Sequence, residues 1–422
     1  MNRRSFLRSV AALAAARGAR GSSPSYIVGV GNSSDSYTAT QTAITASGQF
    51  PSVSGKTVII KPNLVSGKPS NTGITTDPQL VRAIVDLSLA NGAKGIIIAE
   101  GSCAGAAPWS QCGYTFFTTY ANPPSLMQLV DLTTQPITTV KVGPSGGLAY
   151  QVMWIPVMLT EPNTVFISAG KLKTHYSTGV SLSTKNIVGI APPKIYQAGI
   201  PTERQDIHFR GINESVLDLI RVRPIQYAVI DGVWGMEGQG PTGGTAVNSN
   251  LVFAGLNSVA VDLVALQAIT IPQASVPYMV NAAALHLGPS SLSNVTITGD
   301  PYTPFVYTPA TTPPIVWRPN VNNKSFGQGQ TTTISYTIPQ ACYAQVQIIQ
   351  DRDAHPAITV MRMLQPFTSQ AAGTYTVTWD GTNDGGTYVA PGSYLVQVQT
   401  EYTLNAPLTN INFASALVGF TG

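Results

Sequence analysis

The chain has 422 residues, which is enough for two or three domains of about 100–200 residues each. Only 10% of its residues are charged, well below the ~25% of an average soluble protein, and it contains 39 Gly and 31 Pro. No apolar run reaches the ~18 residues of a membrane span, which argues against an integral membrane protein. The formal charge of +4 comes from residues 1–20, because the remainder has 18 basic against 19 acidic residues. This balance gives no reason to expect nucleic acid or anionic lipid as a partner.

The first 24 residues resemble a twin-arginine export signal. Arg3 and Arg4 are followed by Ser5-Phe6-Leu7 and by a short apolar stretch over residues 10–16. We therefore expect export to the periplasm or the cell exterior. The three cysteines contain no CxxC pair, so neither an iron–sulfur cluster nor an all-cysteine zinc site is expected. Whether Cys103 and Cys112 form a disulfide stays open.

Residues 25–300 alternate short β-branched runs with helical segments, which predicts an α/β domain with a largely parallel sheet. Thr76-Asp77-Pro78 marks a helix start, with a capping hydroxyl and Pro in the first turn. Residues 103–150 break the alternation and are interpreted as an insertion. Helices are also predicted near Glu214–Arg221 and Val259–Ile269. The predicted strands are Tyr26–Gly31, Lys56–Ile60, Gly95–Ala99, Thr164–Ser168, Gln226–Ile230 and Leu251–Ala254.

A Pro/Thr-rich segment, residues 301–319, is predicted to be an extended linker with few contacts. Residues 320–422 then show strand-like segments without helices, which predicts an all-β sandwich. Within it, GTYTVTWDGTNDGGTYVAPGSYLVQVQ (373–399) resembles the FlgD-type Ig-like domain. Such sandwiches are reused as spacers, and a cell-surface or protein partner could bind this one. The five predicted strands are Thr331–Ile338, Ala344–Ile349, Ile358–Leu364, Thr374–Trp379 and Ser393–Thr400.

Polar residues follow several predicted strands of the α/β domain. Lys61 and Asn63 follow the second strand, Glu100 follows the third, Lys171-Leu172-Lys173-Thr174-His175 follows the fourth, and Asp231 follows the fifth. Because ligands of parallel sheets bind beyond the carboxyl ends of the strands, we expect one cleft that holds Lys61, His175 and Lys185, with Glu100 or Asp231 at its rim.

Several motifs within residues 25–300 resemble the domain-of-unknown-function 362 family, which has no established general reaction. The motifs are KPNLV (61–65), TTDPQLVRAIVDL (75–87), NGAKGIIIAEGS (91–102), KLKTHYSTGVSLSTKNIVGI (171–190), DGVWGMEGQGP (231–241) and SVAVDLVAL (258–266).

The order of these motifs is also distantly similar to the nickel-pincer lactate racemase family. In that family a Thr/Arg/Pro-type turn opens a helix, a histidine precedes a cofactor-bearing lysine by ten residues, and a metal-ligating histidine follows. Thr75-Thr76-Asp77-Pro78, His175, Lys185 and His208 occupy these places here. The turn lacks the arginine, so carboxylate binding would pass to Lys61 or Lys173. Glu100-Gly101-Ser102 stands where that family has a further histidine, which makes Glu100 the candidate substitute.

Two functions stay open from the sequence. The first is an exported enzyme, racemase- or epimerase-like or an oxidoreductase, that acts on a small anionic, hydroxy-acid-like substrate with a nickel-pincer-type cofactor or a divalent metal. The second is a non-catalytic exported protein that binds an anion and uses the Ig-like domain as a spacer. The candidate residues are His175, Lys185 and Glu100 for catalysis, Lys61, Asn63, Lys173, Thr75, Thr76 and Asn186 for cofactor or substrate binding, and His208 for metal.

Overall fold

The structure is a computed structural model that describes residues 26–103, 105–121, 123–144, 146–197, 204–311, 316–351, 359–405 and 411–422. The predicted export signal, residues 1–24, lies outside the described residues. Among the helices described, none is both long and apolar enough to cross a membrane. Cys103, Cys112 and Cys342 are free thiols.

The N-terminal unit contains eleven strands and seven α-helices within the described residues. The strands are β1 (Tyr26–Asn32), β2 (Thr57–Pro62), β3 (Gly95–Glu100), β4 (Met127–Asp131), β5 (Ile137–Lys141), β6 (Val152–Pro156), β7 (Thr164–His175), β8 (Gly179–Ser181), β9 (Tyr227–Glu237), β10 (Thr245–Gly255) and β11 (Val295–Gly299). The helices are α1 (Ser36–Ser47), α2 (Pro78–Ala90), α3 (Pro193–Tyr196), α4 (Gln205–Phe209), α5 (Ile212–Val222), α6 (Ser258–Ala268) and α7 (Pro277–Ala284).

One mixed sheet forms the centre of this unit, in the order β11-β1-β10-β9-β7-β2-β3-β4, with β8 paired to the end of β7. The neighbours from β9 to β4 are all parallel. Strand β10 is antiparallel to β9, because the two are consecutive strands joined by a short connection. It is also antiparallel to β1 on its other side. The largely parallel sheet with its helices confirms the predicted α/β class.

Helices cover both faces of the sheet. Val58 and Ile60 of β2 pack in the core that contains α1 and α2, whereas Ile59 packs in the core that contains α5, α6 and α7. A strand that is buried on both faces has no polar face, which explains the uninterrupted β-branched run in β2. The predicted insertion, residues 103–150, adds β4 to the edge of the sheet and begins the β5–β6 ribbon.

Strands β7 and β9 are longer than the sequence predicted. Strand β7 continues to His175 and β9 continues to Glu237, so Lys171, Lys173 and His175 lie within a strand and not in a loop after it. Alternate residues of a strand point to the same side, and these three side chains therefore share one face of β7. The predicted end of this strand at Ser168 was therefore too early, and the spacing of the polar residues at 171–175 is that of a strand.

The linker, residues 301–319, makes more contacts than predicted. Tyr307 is buried and its hydroxyl lies 2.7 Å from Ser249 Oγ, and the N–H of Phe305 donates to the carbonyl of Ala268 at 2.7 Å. The expectation of few contacts was wrong, because the aromatic residues between the prolines pack on the α/β unit.

The C-terminal unit is all-β, as predicted, and its two sheets have the orders β12-β14-β17 and β13-β19-β18-β15-β16. Trp379 is fully buried between the sheets and packs against Phe326, Tyr394 and Phe420. Its strands are β12 (Asn320–Val321), β13 (Ser325–Phe326), β14 (Thr332–Ile338), β15 (Cys342–Gln350), β16 (Val360–Gln370), β17 (Gly373–Trp379), β18 (Gly392–Glu401) and β19 (Ile411–Phe420).

The sandwich packs against α4 and the start of α5. Asp351 accepts a hydrogen bond of 2.6 Å from Arg210, and both side chains are buried. Phe413 of β19 contacts Phe209 of α4 edge-on, with 5.4 Å between ring centroids. Because α4 carries His208, the sandwich supports the element that holds a candidate site residue.

The ion pair between the units should contribute strongly to stability. We expect Asp351→Asn to lower the free energy of unfolding by about 2–3 kcal/mol, because it leaves the Arg210 charge buried with weaker compensation. Asp384→Asn is the control, since Asp384 is 61% exposed and lies 4.0 Å from Arg362, and it should change the free energy by less than about 1 kcal/mol. Equal effects in chemical denaturation would contradict a structural role for the Arg210–Asp351 pair.

Candidate functional site

A cavity of about 350 Å³ lies at the carboxyl ends of β2 and β3, beside the end of β7. Parallel sheets bind ligands at this edge, and the volume falls at the lower end of the range of about 300–1,000 Å³ for small-molecule sites. The lining contains eight of the ten predicted site residues, namely Lys61, Asn63, Glu100, Lys173, His175, Lys185, Asn186 and His208.

Lys61 and Glu100 form a buried ion pair in the cavity wall. The Lys61 Nζ lies 2.9 Å from Glu100 Oε1 and also donates to the Pro62 carbonyl at 2.9 Å and to Asn186 Oδ1 at 3.1 Å. Burial lowers the pKa of Lys61, and the adjacent Glu100 opposes that shift. The three acceptor oxygens satisfy the three donors of an ammonium group, so Lys61 is a fixed cation.

Gly189 makes room for this ion pair. A Cβ at residue 189 would lie 2.5 Å from Lys61 Nζ and 2.7 Å from Glu100 Oε1. Any larger side chain would therefore displace the charged groups from the cavity wall. This close approach explains the glycine in the segment that follows Lys185.

Lys173 is a second fixed cation. Its Nζ donates to the Ile74 carbonyl at 2.7 Å, to Asn63 Oδ1 at 3.0 Å and to the Pro241 carbonyl at 3.3 Å. Burial and the nearby Lys185 lower the pKa of Lys173 well below its usual range, but three oxygen acceptors match an ammonium group and an amine has only two protons to donate. We therefore assign the charged form to Lys173.

His175 and Lys185 are in direct contact. The His175 Nε2 lies 3.0 Å from Lys185 Nζ, and the His175 Nδ1 accepts the N–H of Ser177 at 3.1 Å. Burial lowers the pKa of His175 well below its usual range, and the charge of Lys185 lowers it further. Burial also lowers the pKa of Lys185 to about 8. Lys185 can therefore gain or lose a proton near neutral pH, whereas the imidazole of His175 stays neutral.

A buried carboxylate fixes the turn before Lys185. Asp262 of α6 accepts hydrogen bonds from the N–H of Ser183 at 2.9 Å and the N–H of Thr184 at 3.1 Å. Residues Lys185–Ile190 then form a 3₁₀ helix that presents Lys185 to the cavity. Burial raises the pKa of Asp262 to about 6. The sequence did not reveal this supporting role, because Asp262 belongs to a helix that is otherwise apolar.

Arg204 completes the positive wall and was missed by the sequence analysis. Its guanidinium group donates to the Gly101 carbonyl at 2.7 Å and to the Ala191 carbonyl at 2.5 Å, and its Nη1 lies 3.1 Å from Cys103 Sγ. Arg204 follows no predicted strand and belongs to no recognised motif, so the sequence carried no signal for it.

His208 lines the cavity from α4 and also borders the interface with β19. Burial and the nearby Lys185 lower the pKa of His208 to about 3, so its imidazole is neutral. The described residues contain no group of three or more His, Cys, Asp or Glu that could hold a metal ion. His208 therefore has too few neighbouring ligands for a metal held by protein side chains alone, and its role as a metal ligand stays a prediction.

Thr75 and Thr76 lie behind the cavity wall. The Thr75 hydroxyl donates to the Lys68 carbonyl at 2.7 Å, and the Thr76 hydroxyl donates to the Ala169 carbonyl at 2.8 Å. The cap of α2 is the carboxylate of Asp77, which accepts the N–H of Gln79 at 2.8 Å, and not a threonine hydroxyl as predicted. The two threonines thus stabilise the segment between β2 and α2, on which Asn63 lies.

Asp231 does not lie at the rim of the cavity, contrary to expectation. Its carboxylate forms a buried ion pair of 2.8 Å with Lys171 and accepts the N–H of Asp77 at 2.8 Å. Neither Lys171 nor Asp231 lines the cavity. This pair joins β7, β9 and the start of α2.

Comparison with known proteins identifies both units. Residues 58–267 match the family model "Domain of unknown function (DUF362)", and residues 322–403 match the model "FlgD Ig-like domain". The curated "Thylakoid-associated protein sll1697" of Synechocystis sp. is 25% identical over 242 residues, which cover 56% of this chain and 70% of that protein.

Two solved structures of FlgD are each similar to about a quarter or less of the chain. FlgD from P. aeruginosa is 22% identical and covers 21% of this chain and 61% of its own, with a TM-score of 0.17. A truncated FlgD from Helicobacter pylori is 15% identical and covers 24% and 66%, also with a TM-score of 0.17. Because these TM-scores are low, the Ig-like assignment rests on the family model alone. The chain therefore belongs to the DUF362 family through residues 58–267 and carries an FlgD Ig-like domain at residues 322–403.

Proposed function

We propose that the cavity binds a small carboxylate, such as a 2-hydroxy or 2-oxo acid, and that His175 and Lys185 transfer a proton at the bound ligand. The observation that carries this proposal is the charge of the lining. Lys61, Lys173 and Arg204 are cations, and Glu100 is the one carboxylate among the lining residues described.

Two positive charges therefore remain without a counter-charge in a partly closed space. Low-dielectric walls concentrate such a field and raise the local concentration of anions. A carboxylate would neutralise the excess charge and could accept a hydrogen bond from the guanidinium group of Arg204, since protein oxygens already occupy the donors of Lys61 and Lys173. This favours a small anion over a neutral or cationic ligand.

The proton transfer would use the neutral imidazole of His175 and the amine of Lys185. A catalytic group works best when its pKa lies near the operating pH, and a pKa of about 8 satisfies this for Lys185. Glu100 is held by Lys61 and by two backbone N–H groups, so we propose that it orients Lys61 as well as serving as the predicted acid or base. The class of enzyme that fits is racemase- or epimerase-like, or an oxidoreductase.

One observation favours the alternative of a non-catalytic anion-binding protein. The cationic groups of Lys61 and Lys173 are each held by three oxygens of the protein, which suits a rigid binding pocket with or without a reaction. In either case we propose that the protein is exported, because Arg3 and Arg4 resemble the start of a twin-arginine export signal. The Ig-like domain would then contact a partner at the cell surface as well as support α4.

Titration calorimetry with lactate, pyruvate and the uncharged analogue lactamide tests the proposed ligand class. We expect both acids to bind, lactamide to bind at least about tenfold more weakly, and Lys173→Met to weaken the acids by a similar factor, because a lost charge contact costs about 1.4 kcal/mol or more. Lys194→Met is the control, since Lys194 is exposed on α3. Equal affinities for lactate and lactamide would contradict the proposal.

Proton transfer is tested by incubating the same acids with the protein in D2O and following their C–H signals by NMR. Exchange that is lost in His175→Gln supports the enzyme. Binding without exchange for every acid tried would leave the anion-binding alternative.

A further inference from the structure

The buried lysines around the cavity differ in what their Nζ atoms contact. Lys61 and Lys173 each donate to three oxygens, as an ammonium group requires. Within the described part of the chain, the hydrogen bonding of Lys185 Nζ consists of one contact, to His175 Nε2 at 3.0 Å. Lys185 thus lacks the oxygen acceptors that keep the other two protonated.

The neighbouring backbone determines which nitrogen of His175 carries the proton. The N–H of Ser177 can only donate, and it points to His175 Nδ1 at 3.1 Å. In a neutral imidazole one nitrogen accepts and the other donates, so the proton lies on Nε2. That proton faces Lys185 Nζ, and only the free amine has the lone pair needed to accept it.

We propose that Lys185 is a nucleophile that forms an imine with the carbonyl carbon of a 2-oxo acid. This inference rests on the proposed function, since the carboxylate of the acid would be held by the positive wall of the cavity. It narrows the substrate class from small carboxylates to carboxylates that carry an adjacent carbonyl.

The step balances without any oxidant or reductant. The Lys185 lone pair attacks the carbonyl carbon, the C–O π electrons move to oxygen, and one of the two Nζ protons passes to that oxygen to give a carbinolamine. Loss of that hydroxyl as water, with a second proton supplied, leaves a protonated C=N bond to Nζ. The second proton comes from solvent water, and the His175 Nε2–H can donate a hydrogen bond to the departing oxygen.

The surroundings of Lys185 favour the free amine. The titratable and charged groups that interact with it are His175, Lys61, Lys173, Arg204, His208 and Cys103. Burial and the cations Arg204 and Lys61 lower the pKa of Lys185 to about 8, while Cys103 opposes the shift. Desolvated lysines next to other cations are the usual nucleophilic lysines of imine-forming enzymes.

Reductive trapping tests the inference on the full chain. The wild-type protein is incubated with pyruvate, reduced with sodium borohydride and analysed by peptide mass mapping. We expect an N-(1-carboxyethyl) group on Lys185 at an occupancy at least about tenfold above that of the exposed Lys68, Lys94 and Lys194, because those lysines lie outside the cavity that would hold the carboxylate. The yield should rise between about pH 6 and about pH 9.

Three further labelling experiments distinguish imine formation at Lys185 from carboxylate binding alone. Lys185→Met should lose the adduct, excess lactate should suppress it, and acetone should label Lys185 at least about tenfold less because it has no carboxylate. If pyruvate binds in calorimetry but Lys185 is labelled no more than the exposed lysines, the imine is refuted and carboxylate binding stands. If pyruvate does not bind, both fall. The peptide map of the wild type suffices even if the variant fails to fold.

Discussion

Replacing Lys61 with Met is expected to lower the free energy of unfolding by about 3–5 kcal/mol and to weaken carboxylate binding at least about tenfold. The stability loss arises because Glu100 would keep its charge in a buried position without the ammonium group that lies 2.9 Å away. The affinity loss arises because one cation of the cavity wall disappears. Urea denaturation and calorimetry with lactate measure the two effects.

The Lys171–Asp231 pair supplies the matched control for Lys61. Lys171 is as deeply buried as Lys61 and lies 2.8 Å from its carboxylate, but neither residue of the pair lines the cavity. Lys171→Met should therefore destabilise the protein by a similar amount while leaving the affinity for lactate within about twofold. The double variant Lys61→Met/Glu100→Gln should recover much of the lost stability without recovering the affinity. Equal losses of affinity in Lys61→Met and Lys171→Met would refute the special role of the cavity wall.

The stability difference between Lys185→Met and the wild type should depend strongly on pH. The pKa of Lys185 is lowered from 10.5 to about 8 in the folded protein, so between these values the unfolded chain binds a proton that the folded chain lacks. Stability of the wild type therefore rises with pH across this window, and below it the folded state carries the full cost of the buried charge. We expect the wild type to gain about 3 kcal/mol relative to Lys185→Met between about pH 7 and about pH 10.5.

Lys194→Met is again the control, because Lys194 is exposed and its variant should track the wild type at every pH. Denaturation curves at several pH values give the difference directly. A gap between Lys185→Met and the wild type that stays constant from neutral to alkaline pH would show that Lys185 titrates normally.

The class of fold could be predicted because its signals are local. The β-branched runs of β2 and β3 are easy to recognise in the sequence, because both strands are buried between helices. The start of α2 is recognisable because Asp77 caps it. Helix α1 was missed, because SYTATQTAITAS is rich in threonine and lacks a clear apolar face. It forms because Asp35 caps it and its small residues pack closely on the sheet.

Part of the candidate site was predictable because its residues follow strands. Lys61 and Glu100 end strands that are easy to recognise, so their meeting at one edge of the sheet could be expected. Lys173 and His175 were predicted to lie beyond the end of the strand, because buried lysines in a strand have no local signal and depend on oxygens supplied by distant segments. Arg204 and Asp262 act through such long-range hydrogen bonds alone. Their roles require the structure.

The most direct test of the proposed carboxylate site is a crystal structure of the protein with a bound 2-hydroxy or 2-oxo acid. We expect the carboxylate to lie in the cavity, within hydrogen-bonding distance of Arg204 and close to the charges of Lys61 and Lys173, with its second carbon facing Lys185 and His175. An acid that binds elsewhere while the cavity holds only water would contradict it.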